Sequence, residues 1–284
     1  MASISELLRA ARQRLEGYSP TADVDARVLM AHCLNKPSSF LFTWPEHQPT
    51  EAEARQFQQW IARRVDGEPV AYLIGRREFY GHEFLVSPDT LIPRPDTELL
   101  VDMVLSHLDG NAPLRIADLG TGTGAVAVSL ALARPDWTLL AVDMDAAIMD
   151  LAERNCHRLG AHNVQLLQSN WCEQLSGHFD AIVSNPPYVA EDDPHLEQGD
   201  VRFEPTTALA SGPDGLEDIR LIITQAVPRL VPGGLLAFEH GYDQGEAVRA
   251  LLEAGGLTAV ASHRDMAGHE RVTLGFRPGA DHAH

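Results

Sequence analysis

Cysteine is scarce in this chain, positive charge is outnumbered, and no apolar stretch is long. The 284 residues include only Cys33, Cys156 and Cys172, an odd number at wide spacing. They form neither a disulfide framework nor a CxxC metal pair, which excludes a disulfide-stapled domain and points to a reducing compartment. The 13 histidines fall into no HExxH or comparable pattern, so no metal site is expected. His282 and His284 sit in PGADHAH, which reads as a frayed tail. No apolar run approaches the roughly 18 residues needed to span a bilayer. The opening MASISELLRAARQRLEG is amphipathic and lacks a signal-peptide apolar block, so it reads as a folded helix and the expectation is a cytoplasmic protein without a membrane partner. Lys and Arg number 22 against 40 Asp and Glu, a net charge of −18. Nucleic-acid binders need positive surface to displace counterions, so no direct nucleic-acid partner is expected and a protein substrate fits better. The local cluster Arg63, Arg64, Arg76 and Arg77 reads as a solvated helix end followed by a strand.

What is present suffices for one large or two modest domains with a real core. Ile4, Leu7, Leu8, Ala11 and Leu15 repeat at helical spacing. A second helix is expected around Val28 and Leu29, and a third around Phe57, Trp60, Ile61 and Val65, with Pro37, Pro45 and Pro49 in the gaps. Residues 76–87 read as a short hairpin turning near Gly81. LIPRPD (91–96) reads as irregular, with Asp96 capping a helix that runs on through Glu98 and Leu99 to Leu108. The expected division is a helical domain at 1–72, a hairpin linker at 73–95 and an α/β domain at 96–284.

From residue 114 strands alternate with helices: LRIADLG, then 125–133, TLLAVDM, then 146–159, VQLLQSN, FDAIVSNPP and GGLLAFEHG, with later helices at about 214–231 and 245–254. That alternation implies a parallel sheet covered on both faces. The final strands, about 258–264 and 270–277, are joined too closely for a parallel crossover and must pair antiparallel. The pattern resembles the Rossmann-like fold of class I methyltransferases.

DLGTGTG (118–124) follows a strand and opens a helix. Gly120, Gly122 and Gly124, with Thr121 and Thr123 between them, let backbone lie close to a ligand beside free helix N–H groups. Asp143 ends the next strand, where a carboxylate can accept ribose hydroxyls. GxGxG rather than GxGxxG leans away from a dinucleotide. Asp118 would attract the cationic amino-acid end of S-adenosylmethionine and repel a pyrophosphate. At the third strand's end, Asn170 is a candidate acceptor for an adenine amino group and Trp171 a candidate ring platform, with a core aromatic as the plain alternative.

SNPPY (184–188) follows FDAIV. Its prolines stiffen the loop and leave carbonyls without competing N–H groups. A planar NH2 group is a poor nucleophile because its lone pair is delocalised. Asn185 Oδ1 and the Pro186 carbonyl accepting its two N–H bonds would orient it for in-line displacement, with Tyr188 packing on the plane. Asn185, Pro186 and Tyr188 are therefore the candidate catalytic residues, and Asn185 to Tyr188, Pro187 included, the candidate substrate site.

With these residues in view, the chain resembles the bacterial peptide-chain release factor glutamine methyltransferases. RRVDGEPVAYLIGRREF (63–79), LIPRPDTE (91–98), DLGTGTGAVA (118–127), SNPPYV (184–189), VRFEPTTAL (201–209) and EHGYDQGEAVR (239–249) are similar to that family's blocks over nearly the whole chain. The resemblance implies a class I methyltransferase domain behind a small helical domain. It implies methylation of the glutamine amide in the Gly-Gly-Gln motif of class I release factors, giving N5-methylglutamine. It also implies that Gly120 to Gly124, Asp143, Trp171 and Asn185 contact S-adenosylmethionine, and that Asn185 to Tyr188 hold the glutamine. Asn170 stands where relatives often carry aspartate, and Tyr80 where they often carry tryptophan. A ribosomal-protein glutamine methyltransferase and a nucleic-acid adenine N6-methyltransferase remain as alternatives that use the same loop. Because that loop reads only a flat NH2 group, the N-terminal helices are expected to select the protein substrate.

Overall fold

The computed structural model describes residues 2–279; the tail histidines 282 and 284 lie outside them. Two compact units are present, residues 1–76 with 197–203, and residues 77–196 with 204–284.

Among the described residues the first unit contains five helices: α1 (Ile4–Leu15), α2 (Ala22–Cys33), α3 (Ser38–Thr43), α4 (Glu51–Val65) and α5 (Val70–Ile74). Capping boxes start two of them, Ser3 with Glu6 on α1 and Thr50 with Glu53 on α4. Ile4, Leu15, Leu29, Met30, Phe57 and Ile61 form its core. Two of these helices are absent from the sequence reading, α3 and α5. Each has six residues or fewer, under two turns, too short for a period to show.

The basic cluster is a helix end followed by a strand, as expected, with Arg63 exposed, but Arg64 departs from the solvated state. Arg64 is only 5% exposed, with Nε donating to Asp25 at 2.7 Å and Nη1 to Asp200 at 2.6 Å. Arg63 pairs with Glu68 at 2.5 Å, and Arg77 donates to the Pro93 carbonyl. Helix α4 thus carries a buried cation at its C-terminal end, paid for by two carboxylates distant in sequence.

Strands β1 (Arg76–Phe79) and β2 (His82–Leu85) form the hairpin, with Tyr80 and Gly81 at positive φ in its turn. Helix α6 spans Glu98–His107. Asp96 does not cap it: a 3-10 turn at Pro95–Thr97 leads in, the capping position is Thr97, and Asp96 faces Arg271 at 3.3 Å instead. Pro95 favours that tighter turn because its φ suits a helical start and its missing N–H costs nothing there.

The second unit's sheet is built from β3 (Arg115–Leu119), β4 (Thr138–Asp143), β5 (Val164–Gln168), β6 (Phe179–Ser184), β7 (Leu230–Glu239), β8 (Thr258–Arg264) and β9 (Glu270–Phe276). Their order is β5-β4-β3-β6-β7-β9-β8, parallel from β5 to β7 and antiparallel at β7–β9 and β9–β8. This is the parallel sheet with a terminal antiparallel hairpin that the sequence implies. Helices α7 (Ala125–Ala133) and α8 (Ala146–Leu159) join α6 over one face. Helices α9 (Glu217–Ala226) and α10 (Gly245–Ala254) cover the other. Alternate residues of β3 enter opposite cores, Ile116 one and Ala117 and Leu119 the other, as period-2 side chains must. Helix α9 stops at Ala226, short of the expected 231, because Pro228 cannot continue the ladder. Among the described residues no helix is long and apolar enough to cross a membrane.

Chain direction switches at β3: β4 and β5 extend the sheet to one side, and β6 then returns to the other. Open α/β sheets bind ligands outside the strand C-termini at such a switch. The glycine loop, Asp143 and SNPPY all follow strand ends there.

Candidate active site

A cavity of about 540 Å³ opens at those strand ends, within the range of small-molecule sites. Its glycine wall is Gly120 at φ +69° and Gly122 at φ +54°, left-handed positions that L side chains resist. Gly124, expected there too, is at φ +82° but does not line the cavity, and a Cβ on it would meet Val128 and Ala152. Gly124 is the N-cap of α7, and Thr121 N donates to Val142 O at 2.9 Å, tying the loop to β4. A Cβ on Gly122 would meet nothing within 4 Å, so the loop presents bare backbone to open space.

Asp118 lines the cavity but commits Oδ2 to the loop itself. That oxygen accepts from Thr121 Oγ1 at 2.7 Å and Ala127 N at 3.2 Å. Burial pushes its carboxyl up to about 6, against these hydrogen bonds. Asp143 accepts from Gly122 N at 3.1 Å and Met144 N at 2.8 Å, while burial raises its pKa. A carboxylate offers about four acceptor directions, so Asp143 both shapes the loop and retains capacity for a ligand. Two partly desolvated carboxylates beside one cavity favour a cationic, hydroxyl-bearing occupant.

Trp171 combines its two sequence readings. It packs against the core formed with α9 and α10, and it also lines the cavity. Its φ of +47° is unusual for a bulky residue and marks a constrained position. Asn170 lines the cavity too, its Nδ2 donating to Glu173 Oε1 at 3.0 Å.

SNPPY leaves β6 with Ser184 Oγ donating to Leu119 O at 2.7 Å, which locks the ends of β3 and β6 together. Asn185 Nδ2 donates to Thr97 Oγ1 at 3.2 Å, while Oδ1 is buried without a hydrogen-bond partner among the described residues. Asn185 and Pro187 line the cavity, whereas Pro186 is buried and Tyr188 turns to Glu239, its hydroxyl donating to Oε1 at 3.3 Å. Burial raises the Tyr188 pKa, and the neighbouring Glu239 charge adds to it.

Several supports carry no chemistry recognisable from sequence. Gln244 Nε2 donates to Tyr188 O at 2.9 Å and holds the loop from behind. Glu204 accepts from Ile92 N at 3.0 Å and pairs with Arg94, joining LIPRPDTE to VRFEPTTAL. Glu239, 1% exposed at the end of β7, stands beside Tyr188 and Thr97. These residues lie inside the blocks that carry the family resemblance, which was the one signal for them; no local spacing points to them.

The fold and this site define a class I S-adenosylmethionine-dependent methyltransferase. Residues 6–75 match the family described as PrmC N-terminal domain, and residues 96–201 the family described as Methyltransferase small domain. The release factor glutamine methyltransferase of Xylella fastidiosa is 48% identical over 280 residues, covering 98% of this chain and 100% of that protein. That of Pseudomonas aeruginosa is 52% identical over 259 residues, covering 90% and 93%. A methyltransferase structure from Pyrococcus furiosus is 20% identical, with a TM-score of 0.54 over 78% of this chain and 99% of its own, a likeness of fold. The chain belongs to the release factor glutamine methyltransferase family.

Proposed function

We propose that the chain transfers a methyl group from S-adenosylmethionine to the side-chain amide nitrogen of the Gly-Gly-Gln glutamine in class I release factors. The carrying observation is Asn185 Oδ1, a buried acceptor without a partner among the described residues, on the wall of the cavity. A buried, unpaired acceptor costs about 1–3 kcal/mol, which a donor N–H entering the site recovers. The reading assigns the cofactor to Gly120, Thr121, Gly122, Thr123, Gly124, Asp143, Trp171 and Asn185. It assigns the glutamine to Asn185, Pro186, Pro187 and Tyr188.

When bound, S-adenosylmethionine supplies an electrophilic methyl on a sulfonium. Asn185 Oδ1 and the Pro186 carbonyl accept the two amide N–H bonds and turn the nitrogen lone pair toward that carbon. Proximity and orientation of this kind contribute much of a rate enhancement. The nitrogen forms the new N–C bond as the methyl–sulfur bond breaks, and the resulting cationic nitrogen loses a proton to solvent. Tyr188 holds its loop through the hydroxyl on Glu239 and through its carbonyl on Gln244.

Selection of the protein substrate is assigned to the N-terminal helical domain, residues 1–72, with 73–95 as linker and 96–284 as the catalytic domain. Tyr18, Phe42 and Trp44 are 65%, 65% and 59% exposed on the helical unit, the residue types that protein interfaces favour. The reaction is placed in the cytoplasm, where its protein substrate would act.

The deciding experiment incubates the full-length protein with labelled S-adenosylmethionine and a class I release factor, then maps the methyl by mass spectrometry. Label on the Gly-Gly-Gln glutamine is expected. Label confined to a ribosomal protein or to adenine in competing reactions would overturn the assignment.

A further inference from the structure

Helix α8 starts at the cavity, with Asp145 at its N-cap and Ile148 in its first turn both on the wall. About two turns further on, Asn155 is 0% exposed and does not line the cavity. Its amide makes three hydrogen bonds. Oδ1 accepts from Leu85 N at 2.8 Å, and Nδ2 donates to Leu85 O at 3.0 Å and to Thr123 O at 2.8 Å. Only this orientation satisfies the partners: turned over, the amide would set its oxygen against two carbonyls and its NH2 against an N–H. Exchanging both bonds with one residue is what a neighbouring strand does, so the side chain stands in for a strand at the end of β2. The third bond reaches the glycine loop.

Both anchored points lead into the cavity. Thr123 lines it, and so do Pro88, Asp89, Thr90 and Leu91, a wall that begins three residues after Leu85 closes β2. One turn back along α8, Ala152 meets the same loop: a Cβ on Gly124 would stand 3.6 Å from its Cβ. One face of α8 therefore carries both the loop and the end of the hairpin. Arg158 holds the hairpin separately, Nη1 donating to the Glu83 carbonyl and Nη2 to its carboxylate, each at 2.5 Å. Among the described residues it has no hydrogen bond to the glycine loop.

We propose that Asn155 is a positioning residue for cofactor binding, which fixes Thr123 relative to the 88–91 wall and makes the hairpin part of the framework of the cofactor site. This rests on the assignment of the glycine loop to S-adenosylmethionine and is independent of the acceptor.

The test uses the full-length protein, with thermal melting for stability, calorimetry for S-adenosylmethionine affinity and initial rates on a release factor. Asn155→Ala leaves the Thr123 carbonyl and both Leu85 groups without their partner. Its Kd and KM for S-adenosylmethionine should rise about tenfold or more, the scale of a buried group left unsatisfied. Its kcat at saturating cofactor should stay within about threefold, because binding lost equally from ground and transition states moves KM alone. Asn155→Asp keeps the acceptor for Leu85 N but loses both donated bonds, and should weaken the cofactor as much. Arg158→Ala loosens the same hairpin without touching the loop, and should lower the melting temperature with affinity unchanged. In the unaltered protein, saturating S-adenosylmethionine should slow hydrogen exchange of the Leu85 amide more than that of Gly81, bonded to Glu78 on the same hairpin. That measurement decides the matter if neither Asn155 variant folds. An Asn155→Ala protein that melts lower yet binds the cofactor normally overturns the proposal alone. So do equal losses of affinity in Asn155→Ala and Arg158→Ala, or equal slowing at Leu85 and Gly81. Normal affinity in Gly120→Ala overturns the loop assignment, and the proposal with it. Calorimetry and exchange need no acceptor, so inactivity on the release factor overturns the functional reading without touching this one.

Discussion

Gly120 lies directly against the Trp171 ring: a Cβ placed on the glycine would stand 3.1 Å from the ring carbon Cζ3. The contact joins the cofactor loop after β3 to the turn after β5, so the two sides of the candidate cofactor cavity share one surface. Gly120→Ala adds a Cβ there and also forces alanine to φ +69°, which costs about 1–2 kcal/mol by itself. The variant should melt several degrees lower and bind S-adenosylmethionine at least about tenfold more weakly, the worth of roughly 1.4 kcal/mol. Unchanged melting and affinity would show that the loop and the ring yield freely.

Asn185→Ala separates binding from chemistry. Its Oδ1 is directed at the acceptor amide, so cofactor affinity should stay within about threefold while kcat drops by about 100-fold or more. Single-turnover methylation beside calorimetry measures both. Near-normal turnover would remove Asn185 from the reacting geometry.

Asp143→Ala should act on the cofactor side. Loss of charge-assisted hydrogen bonds to ribose hydroxyls should weaken S-adenosylmethionine binding by about 1.5–3 kcal/mol. The Gly122 N–H also loses its acceptor, so the loop slackens in the same variant. A titration with unaltered affinity would place the ribose elsewhere.

Glu239 sets a pH dependence of stability. Tyr188 and Thr97 face it, and Arg271 and Asp96 act on it through their charges. Burial pushes its carboxyl up from the ordinary 4.5 to about 7. Between those values the folded protein holds more proton than the unfolded chain. The contribution to stability is therefore fully present below about pH 4.5, falls as pH rises through the window, and is lost above about 7. Asp118, raised to about 6 by burial, acts in the same direction. Glu239→Gln removes one of the two, so its melting temperature relative to the unaltered protein should be higher at pH 8 than at pH 5. The full span is on the order of 3 kcal/mol. A difference that does not move with pH would mean Glu239 does not titrate in this window.

Asp25→Ala should strip the helical unit of a buried counter-charge. Asp25 accepts from Arg64 Nε and Ser19 Oγ, each at 2.7 Å, and Arg64 would retain Asp200 at 2.6 Å. Breaking a buried pair costs about 3–5 kcal/mol, and the remaining partner places this loss near the lower end. Denaturant unfolding of the full-length protein measures it. A change below about 1 kcal/mol is what an exposed pair would give, and would contradict the buried network.

Much of the catalytic unit was legible as local pattern. The strand after residue 114, helices α7 and α8, and the closing antiparallel hairpin follow from side-chain period and connection length, which neighbouring residues determine. The glycine loop and SNPPY were equally visible, because left-handed turns and rigid prolines are requirements of the residue itself. The sequence by itself therefore determined the order of elements, the strand ends that carry candidate chemistry, and the family.

Tertiary structure alone decided which groups meet at those ends. Thr97 and Asn185 are 88 positions apart, and Glu239 is 51 beyond Tyr188. Their partnership depends on β6 and β7 lying side by side and on a proline-led turn before α6, none of which a local period encodes. Arg64 shows the same limit: its helix was read, but its burial depends on Asp25 and Asp200, 39 and 136 positions away. A hydrogen bond or ion pair needs its atoms within about 3 Å and in line, and only the folded chain brings residues so far apart to that separation.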